Sequence, residues 1–296
     1  MRVFVTGATG FIGSAVVREL IDSGHQVVGL ARSDAGAKGL KDAGAEVLRG
    51  EMEDLEGLRR GAAAADGVIH LAFIHDFSNF AASCEADKLA IEALGGALAG
   101  SGKPLVVTGG VSLIAPGRVA TEDMDHPANS PFPRVSEQAG LAFATQGVRA
   151  SVVRLPQVHD TVKQGLVTYL VAIAREKGVS AYVGDGLNRW PAVHVLDAAR
   201  LYRLALEKGP AGGRYHAIGE EGVPLREIAE AIGRGLKVPV AAKTPAEAGE
   251  RFGWLARFAG LDCPASGALT QERLGWRLTG EPGMIADLNK MRYFEG

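Results

Sequence analysis

The run Thr6-Gly7-Ala8-Thr9-Gly10-Phe11-Ile12-Gly13 constrains the fold more than any other part of the chain. It directly follows the apolar residues 3–5, so the sequence predicts a strand, a tight glycine turn and then a helix. Gly7 permits the turn, Gly10 lets the backbone approach an anion, and Gly13 lets the helix pack closely on the strand. A helix N-terminus offers unpaired amides and a partial positive charge. The spacing therefore predicts a dinucleotide-binding turn.

The first half of the sequence alternates apolar runs with helical stretches. Continuous apolar runs are typical of parallel strands that are buried on both faces, which predicts an α/β fold with a doubly wound parallel (Rossmann) sheet. The alternation loosens after Pro156. We therefore expect a dinucleotide-binding Rossmann domain over residues 1–160 and a smaller mixed substrate lobe over residues 161–296. Part of 187–207 is expected to return to the Rossmann sheet. The strands after the first are predicted at residues 27–31, 45–48, 67–71, 105–108 and 150–155.

Composition excludes several classes of protein. The 296 residues carry a formal net charge of −2, with acids and bases mixed along the chain, so nucleic acid and anionic membranes are not expected partners. Cys84 and Cys263 have no metal-type spacing, which predicts no metal site and fits a reducing compartment. No apolar run of membrane-spanning length and no signal-peptide pattern is present. We expect a cytoplasmic enzyme that acts on a small molecule.

Several further motifs resemble those of the extended short-chain dehydrogenases/reductases, an NAD(P)-dependent epimerase/dehydratase-like group. The resemblance covers nearly the whole chain, in the expected order. It implies a coenzyme, NAD(H) or NADP(H), and an activity among reductases, dehydrogenases, sugar epimerases and dehydratases. Besides the opening turn, the motifs are DGVIHLAF (66–73), LVVTGG (105–110), VRASVVRLPQVHD (148–160), VGDGLNRWPAVHVLDAARL (183–201) and LGW (274–276).

The coenzyme site follows from the turn and from this resemblance. Segments after the third, fourth, fifth and sixth strands are expected to line the adenine, the dinucleotide and the nicotinamide, with a backbone amide near Val158 holding the carboxamide. Each of these segments also has a structural interpretation as strand-end packing. The expected contacts are Gly7, Thr9, Gly10, Phe11, Ile12, Gly13, Glu51, Met52, Leu71, Ala72, Phe73, Thr108, Pro156 and Val158.

The end of the second strand predicts the choice of coenzyme. Relatives that prefer NAD carry an acid at the position of Ala31, where it accepts a hydrogen bond from the ribose 2′-hydroxyl and repels a 2′-phosphate. Here Arg32 follows, with a guanidinium that suits a phosphate, and Ser33 adds a hydroxyl donor. NADP(H) is therefore favoured. NAD(H) remains the alternative because Asp34 is close, and Arg32 is then a solvated loop cation.

The usual proton relay of the family is missing. In relatives, the lysine of a Tyr-x-x-x-Lys helix lowers the pKa of the tyrosine, whose phenol exchanges a proton with the substrate as hydride moves. No tyrosine of this chain has a lysine four residues later. Alignment on Ser136 places Pro133 at the tyrosine position and Glu137 at the lysine position. The position of the family's orienting serine falls near Gly110.

Other groups are therefore candidates for the proton transfer. His75 follows the fourth strand, His159 stands where relatives often carry tyrosine, and Ser112 lies near the missing serine. Each histidine also has an interpretation as a hydrogen-bonded structural residue, and the aromatic residues of the second lobe as core. The residues expected to face the substrate are Asp76, Arg189, Trp190 and His194.

Three functions fit these observations. We favour an NADP(H)-dependent oxidoreductase that acts on a carbonyl or related unsaturated small molecule with a non-standard proton donor. The alternative is a catalytically silent NAD(P)-binding redox sensor or regulatory module. A nucleotide-sugar epimerase or dehydratase is less favoured, because relatives with that chemistry depend on the tyrosine. A homodimer through two outer helices, or a monomer in which the same residues cover the sheet, would use Leu89, Ala90, Ala93, Leu94, Ala97, Ala139, Leu141, Ala142 and Phe143.

Overall fold

A computed structural model of the protein describes residues 1–76, 78–127 and 132–291. In order along these residues, the strands are β1 (Arg2–Thr6), β2 (Gln26–Ala31), β3 (Glu46–Arg49), β4 (Gly67–His70), β5 (Pro104–Gly110), β6 (Arg149–Leu155), β7 (Gln157–His159), β8 (Ser180–Val183), β9 (Arg189–His194), β10 (Gly213–His216), β11 (Glu220–Pro224) and β12 (Val240–Lys243).

The α-helices alternate with the strands in the first half and dominate the end of the chain. They are α1 (Phe11–Asp22), α2 (Asp34–Asp42), α3 (Leu55–Ala63), α4 (Phe80–Leu98), α5 (Ser136–Leu141), α6 (Val167–Lys177), α7 (Val195–Lys208), α8 (Leu225–Leu236), α9 (Ala248–Phe252), α10 (Ala256–Ala259), α11 (Ala268–Leu274) and α12 (Met284–Asn289). Short 3-10 helices occur at Ala142–Gln146, Pro245–Glu247 and Gly253–Leu255.

Seven strands form one parallel sheet in the order β10-β6-β5-β4-β1-β2-β3. Successive side chains of β1 point to opposite faces, so Val3 and Val5 join the core under α1 and α7 while Phe4 joins the core under α3 and α4. Helices on both faces explain why the strands are continuously apolar. The doubly wound Rossmann prediction is confirmed.

The chain returns to the Rossmann sheet after a first excursion. Helix α7 packs against α1, and β10 hydrogen-bonds to β6 as the edge strand of the large sheet. The expected return ended at residue 207, whereas the structure extends it to His216. The sequence predicts a strand at residues 214–218 but not its partner, because Tyr215 and His216 are buried by neighbours that are distant in sequence.

The smaller lobe is built on a mixed three-stranded sheet, in which β9 pairs in parallel with β7 and antiparallel with β11. A parallel pair, β8 and β12, lies beside it. Its own core contains Trp190, Ile228, Phe252, Leu255 and Met284. This lobe stands at the carboxyl ends of the Rossmann strands, because β7 follows directly from β6.

The outer helices considered for a dimer are largely covered within the single chain. Ala90, Ala93, Leu94 and Phe143 are buried in the core that faces β4, β5 and β6, whereas Leu89 is 39% exposed. This burial favours the interpretation in which these residues cover the sheet.

Helix α4 is the longest helix given above, with nineteen residues. It carries Glu85, Asp87, Lys88 and Glu92, and is therefore not an apolar segment. Within the part of the chain that the structure describes, no helix combines the length and the apolar character that crossing a bilayer needs.

Candidate functional site

The turn between β1 and α1 is closed so tightly that a side chain does not fit at Gly7 or at Gly13. Gly7 has a φ of +66°, and a Cβ there would stand 2.6 Å from the Ala72 backbone nitrogen. A Cβ on Gly13 would stand 2.0 Å from the Gly7 carbonyl oxygen. Both glycines are therefore needed because the backbone of the turn packs directly against other backbone atoms of the protein. Gly10 differs, since its Cβ would meet only the Gly7 oxygen, at 3.2 Å, among the described atoms.

The N-terminus of α1 suits an anion. Thr9 and Gly10 are exposed, and Phe11 and Ile12 are half-buried. Gly10 is the N-cap residue, and among the described residues no side chain caps the helix and no acid lies in its first turn. The twelve-residue helix therefore presents its amides and dipole without a competing carboxylate. The glycine cradle and the uncapped helix fit the pyrophosphate of a dinucleotide.

The residues after β2 form a small charged group beside this turn. The Ser33 hydroxyl accepts a hydrogen bond from the Gly36 amide at 3.1 Å and caps α2. Arg49 donates to the Ser33 carbonyl oxygen at 2.6 Å and to the Asp34 carboxylate at 2.9 Å. Arg32 is exposed and makes no hydrogen bond or ion pair with the described residues. Asp34, the acid that left the choice between NADP(H) and NAD(H) open, is therefore paired with Arg49, while the Arg32 guanidinium can contact a ligand.

The segment after β4 lies next to the turn, and the segment after β3 joins the core on the Phe4 face of the sheet. Met52 is buried with the Phe4 core, and Glu51 is exposed. The amides of Leu71 and Ala72 each lie 3.3 Å from the Thr6 hydroxyl oxygen, which accepts from them. Leu71 and Ala72, both half-buried, therefore stand against the glycine turn.

A buried polar chain connects β1, β4 and α4. The Thr6 hydroxyl and His70 Nδ1 are 2.7 Å apart, and His70 Nε2 is 3.2 Å from the Asp87 carboxylate. Ser136 donates its hydroxyl to the same carboxylate. Burial alone raises the pKa of Asp87, but His70, Arg134 and Ser136 stabilise the ionised form, and the pKa of Asp87 is lowered overall. This row of hydrogen bonds links the turn after β1 to Ser136, the first residue of α5.

The tyrosine and lysine positions hold a different arrangement. Pro133 is exposed, whereas Glu137 is buried and receives two hydrogen bonds from Arg154, at 2.8 and 2.6 Å. Arg214 adds a third, at 3.0 Å. Burial raises the pKa of Glu137, but the two guanidinium groups and His126 lower it more, so the pKa is depressed. A buried ion pair therefore lies at the position that the sequence alignment predicted for the lysine.

His216 completes this buried cluster. Its Nδ1 lies 2.9 Å from the Ser266 carbonyl oxygen and donates to it, so that Nε2 accepts from Arg154 at 3.1 Å. Burial, followed by the charge on Arg154, lowers the pKa of His216 to about 4. The ring is therefore neutral near neutral pH.

Arg134 is the functional candidate that sequence reasoning missed. Its guanidinium carbon lies 4.2 Å from the centre of the Phe73 ring. Its Nε donates to the Ser136 hydroxyl at 2.8 Å and one Nη donates to the Thr108 carbonyl oxygen at 3.2 Å. The side chain is 23% exposed. The only sequence signal is its place directly after the aligned tyrosine position.

One of the three predicted proton donors, His75, lies near Arg134, whereas Ser112 contacts Cys263. His75 is exposed and packs edge-on against Phe73, with ring centres 5.4 Å apart. Partial desolvation, followed by the charge on Arg134, lowers the pKa of His75. Ser112 is half-buried and hydrogen-bonded to the Cys263 thiol, whose pKa burial raises to about 12.

The third predicted donor, His159, lies in a buried group that holds α12. His159 is 1% exposed, and its Nδ1 is 2.8 Å from the Asp287 carboxylate. Burial lowers the pKa of His159 more than Asp287 and Glu220 raise it. His194 caps α7, accepting from the Leu196 amide at 3.3 Å, and its Nε2 is 3.8 Å from Asp287. Both histidines therefore have structural partners, the interpretation given above as their alternative.

The remaining predicted substrate residues are also engaged. Arg189 contacts both oxygens of the Asp262 carboxylate, at 3.0 and 2.9 Å. Trp190 is 1% exposed and donates its indole N–H to the Phe258 carbonyl oxygen, which favours its packing role. Asp76 closes a turn by accepting from the amide and hydroxyl of Ser78.

The predicted nicotinamide segment belongs to the seam between the lobes. Pro156 is half-buried, and Val158 lies opposite Val193 in the pairing of β7 with β9. Thr108, at the end of β5, is buried, donates its hydroxyl to the His70 carbonyl oxygen and accepts from the Tyr202 phenol, both at 2.8 Å. The Thr108 hydroxyl therefore has protein partners both as donor and as acceptor.

Comparison with known proteins agrees with this geometry. The NAD dependent epimerase/dehydratase family matches residues 3–218. An uncharacterised protein of Schizosaccharomyces pombe is 48% identical over 297 residues, which cover 99% of this chain and 100% of that protein. The sterol-4-alpha-carboxylate 3-dehydrogenase, decarboxylating, of Dictyostelium discoideum is 28% identical and covers 77% of this chain and 74% of that protein.

A solved structure shares the fold. DesIV, a dTDP-glucose 4,6-dehydratase from Streptomyces venezuelae determined with NAD and TYD bound, has a TM-score of 0.78 at 21% identity and covers 99% of this chain and 96% of that chain. The family match over most of the chain, the strand order and the glycine turn lead to one conclusion. The chain belongs to the NAD dependent epimerase/dehydratase family and is an NAD(P)-dependent enzyme of the extended short-chain dehydrogenase/reductase type.

Proposed function

We propose that the protein is an NADP(H)-dependent reductase of a carbonyl or related unsaturated small molecule. The observation that carries the choice of coenzyme is the exposed Arg32 guanidinium beside an Asp34 carboxylate that is paired with Arg49. A 2′-phosphate at the end of β2 would meet the Arg32 guanidinium, beside an acid that already forms an exposed ion pair with Arg49. A ribose 2′-hydroxyl would find no free carboxylate there among the described residues.

Each part of the site has a task in this proposal. The turn of Gly7 and Gly10 and the N-terminus of α1 hold the pyrophosphate, and the segment from Pro156 to Val158 lies along the nicotinamide. The coenzyme, when bound, supplies the hydride. The protein must then stabilise negative charge on the substrate oxygen and deliver a proton to it.

His75 is our choice for the proton donor. It stands beyond the carboxyl end of β4, remains exposed, and lies near Arg134, whereas His159 is held by Asp287 in the interior. The pKa of His75 is lowered, so its protonated fraction is small at neutral pH and grows as the pH falls. Reduction by a histidine acid therefore speeds up as the pH falls below about 8, and the rise continues below the ordinary histidine pKa of 6.5.

The coenzyme preference is tested by fluorescence titration with NADPH and NADH. Arg32→Ala should weaken NADPH binding about tenfold, or 1.4 kcal/mol, and leave NADH binding unchanged. Arg18→Ala, which replaces an exposed arginine within α1, is the matched control and should change neither affinity. Equal binding of both coenzymes by the unaltered protein would refute the role of Arg32.

Turnover separates the reductase from its alternative, the silent coenzyme-binding module. The alternative is supported by Pro133 and by the Glu137–Arg154 ion pair, which stand in place of the usual relay. NADPH oxidation is measured against ketones, aldehydes, imines and enones. Turnover that His75→Ala slows about a hundredfold or more, while His159→Ala does not, supports the reductase with His75 as acid. Tight coenzyme binding without turnover supports the module.

A further inference from the structure

Four phenylalanine rings form a continuous row from the Rossmann domain to the smaller lobe. The ring centres of Phe73 and Phe80 are 5.9 Å apart, those of Phe80 and Phe132 are 4.9 Å apart, and those of Phe132 and Phe258 are 6.3 Å apart. Phe73 follows β4 and Phe80 begins α4, whereas Phe258 belongs to α10 of the smaller lobe. All four residues are half-buried. The row therefore retains aromatic surface that the two cores do not cover.

One cation stands at the Rossmann end of this row. Arg134 stacks on Phe73 at 4.2 Å, and its bonds to Ser136 and to the Thr108 carbonyl oxygen hold its plane. Ser136 is itself held by buried Asp87. The guanidinium is therefore oriented in advance, beside the exposed His75 and against the segment that adjoins the glycine turn.

Two features, the pairing of Arg189 and the apolar character of the row, disfavour a nucleoside diphosphate as substrate. Arg189, the basic residue of the smaller lobe expected to face the substrate, is occupied by Asp262 through two hydrogen bonds. The row itself offers apolar faces, which bind flat rings by stacking and contribute little to a hydrated sugar. A second guanidinium, that of Arg257, lies 5.9 Å from the centre of the Phe258 ring at the other end of the row. The aromatic faces together with Arg134, whose plane is held by hydrogen bonds, match a flat apolar molecule whose polar atom meets the Arg134 guanidinium.

We propose that this aromatic row binds a flat, largely apolar ketone, with the rings along Phe132 and Phe258 and the carbonyl oxygen at Arg134. The proposal rests on the proposed function and names its substrate class. In the reaction, hydride from NADPH forms the new C–H bond as the carbonyl π bond breaks. Arg134 stabilises the resulting alkoxide, and a proton from His75 gives the alcohol, leaving NADP⁺.

The test measures binding, so it does not depend on turnover. The probes are 2-acetonaphthone and 2-ethylnaphthalene, which differ by the carbonyl group, titrated onto the NADPH complex by saturation-transfer NMR. A hydrogen bond from a charged donor should favour the ketone about tenfold, and Arg134→Met should erase that preference. Phe258→Ala should weaken both probes about five- to tenfold, since stacking is lost for each. Tyr169→Ala, an aromatic residue of the same lobe outside the row, is the control and should change neither.

The outcomes distinguish this inference from the proposed function. If the preference for the ketone survives Arg134→Met, or if Phe258→Ala leaves both probes unaffected, the substrate class is overturned while coenzyme binding stands. Tighter binding of UDP-glucose than of 2-acetonaphthone would also overturn it. If the unaltered protein binds neither NADPH nor NADH, the proposed function itself fails.

Discussion

The two halves of the site, which lie along one edge of the same sheet, differ in what they are made of. The coenzyme half, from β1 to α2, is formed by backbone: Gly7 and Gly13 close a turn, and an uncapped helix presents amides. The proposed catalytic half, at the ends of β4 to β6, is formed by side chains, among them the buried Glu137–Arg154 pair. A backbone site requires only that side chains be absent, whereas a side-chain site can be rebuilt residue by residue.

The largest expected effect breaks the backbone half. Gly13→Ala places a Cβ 2.0 Å from the Gly7 carbonyl oxygen and should lower the free energy of unfolding by about 4 kcal/mol or more. Urea denaturation measures this loss. Gly39→Ala, in α2 with no described atom within 4 Å of its Cβ, is the matched control and should be neutral or slightly stabilising. Comparable stability of the two variants would contradict the tight closure of the turn.

The next effect breaks the side-chain half. Arg154→Met leaves the Glu137 carboxylate buried without its bidentate partner and should cost about 3–5 kcal/mol of unfolding free energy. Adding Glu137→Leu should restore part of the loss, because the buried carboxylate that has lost its bidentate partner and keeps only Arg214 is then removed. Lys38→Ala, which breaks the exposed pair with Asp42, should cost less than about 0.5 kcal/mol by the same denaturation measurement.

A lower pH should decrease the free energy of unfolding through His216, which belongs to the same buried cluster as Glu137 and Arg154. Its pKa is about 4 in the folded protein and near 6.5 when unfolded, so the folded state prefers the neutral ring. The stabilisation is complete above about pH 6.5 and is lost as the pH falls toward 4, by about 3 kcal/mol at 1.4 kcal/mol per pKa unit. His216→Asn keeps a donor for Ser266 and should flatten the dependence of unfolding free energy on pH. An unchanged slope between pH 6.5 and 4.5 would rule out His216 as its source.

The smallest expected effect is a change in NADPH affinity caused by a substitution beside Arg32. Asp34→Asn removes the acid nearest to Arg32 and frees Arg49, and should strengthen NADPH binding about two- to threefold. Asp42→Asn, at the far end of α2, should leave the affinity unchanged. Fluorescence titration at two salt concentrations measures both variants. If Asp34→Asn weakened NADPH binding, the carboxylate would have a positive part in coenzyme recognition.

The catalytic half shows why part of the site escaped prediction. Glu137 was placed at the lysine position from sequence, but its partners Arg154 and Arg214 lie on strands that only the fold brings together. Arg134 carries no motif of its own, and its interest arises from stacking on Phe73, a residue 61 positions earlier in the numbering of the chain. His159 looked like a donor because nothing in the sequence places Asp287 beside it.

The sequence by itself determined the Rossmann sheet, the glycine turn and the order of the motifs, because apolar periodicity and glycine spacing act within a few residues of one another. It also determined that no Tyr-x-x-x-Lys helix exists. Only the tertiary structure decided which charged side chains are free. Arg32 and Arg189 are both arginines that follow or begin a strand, yet Asp262 holds one and the described residues leave the other unpaired. Pairing depends on groups far apart along the chain, and their distances exist only once the lobes have packed.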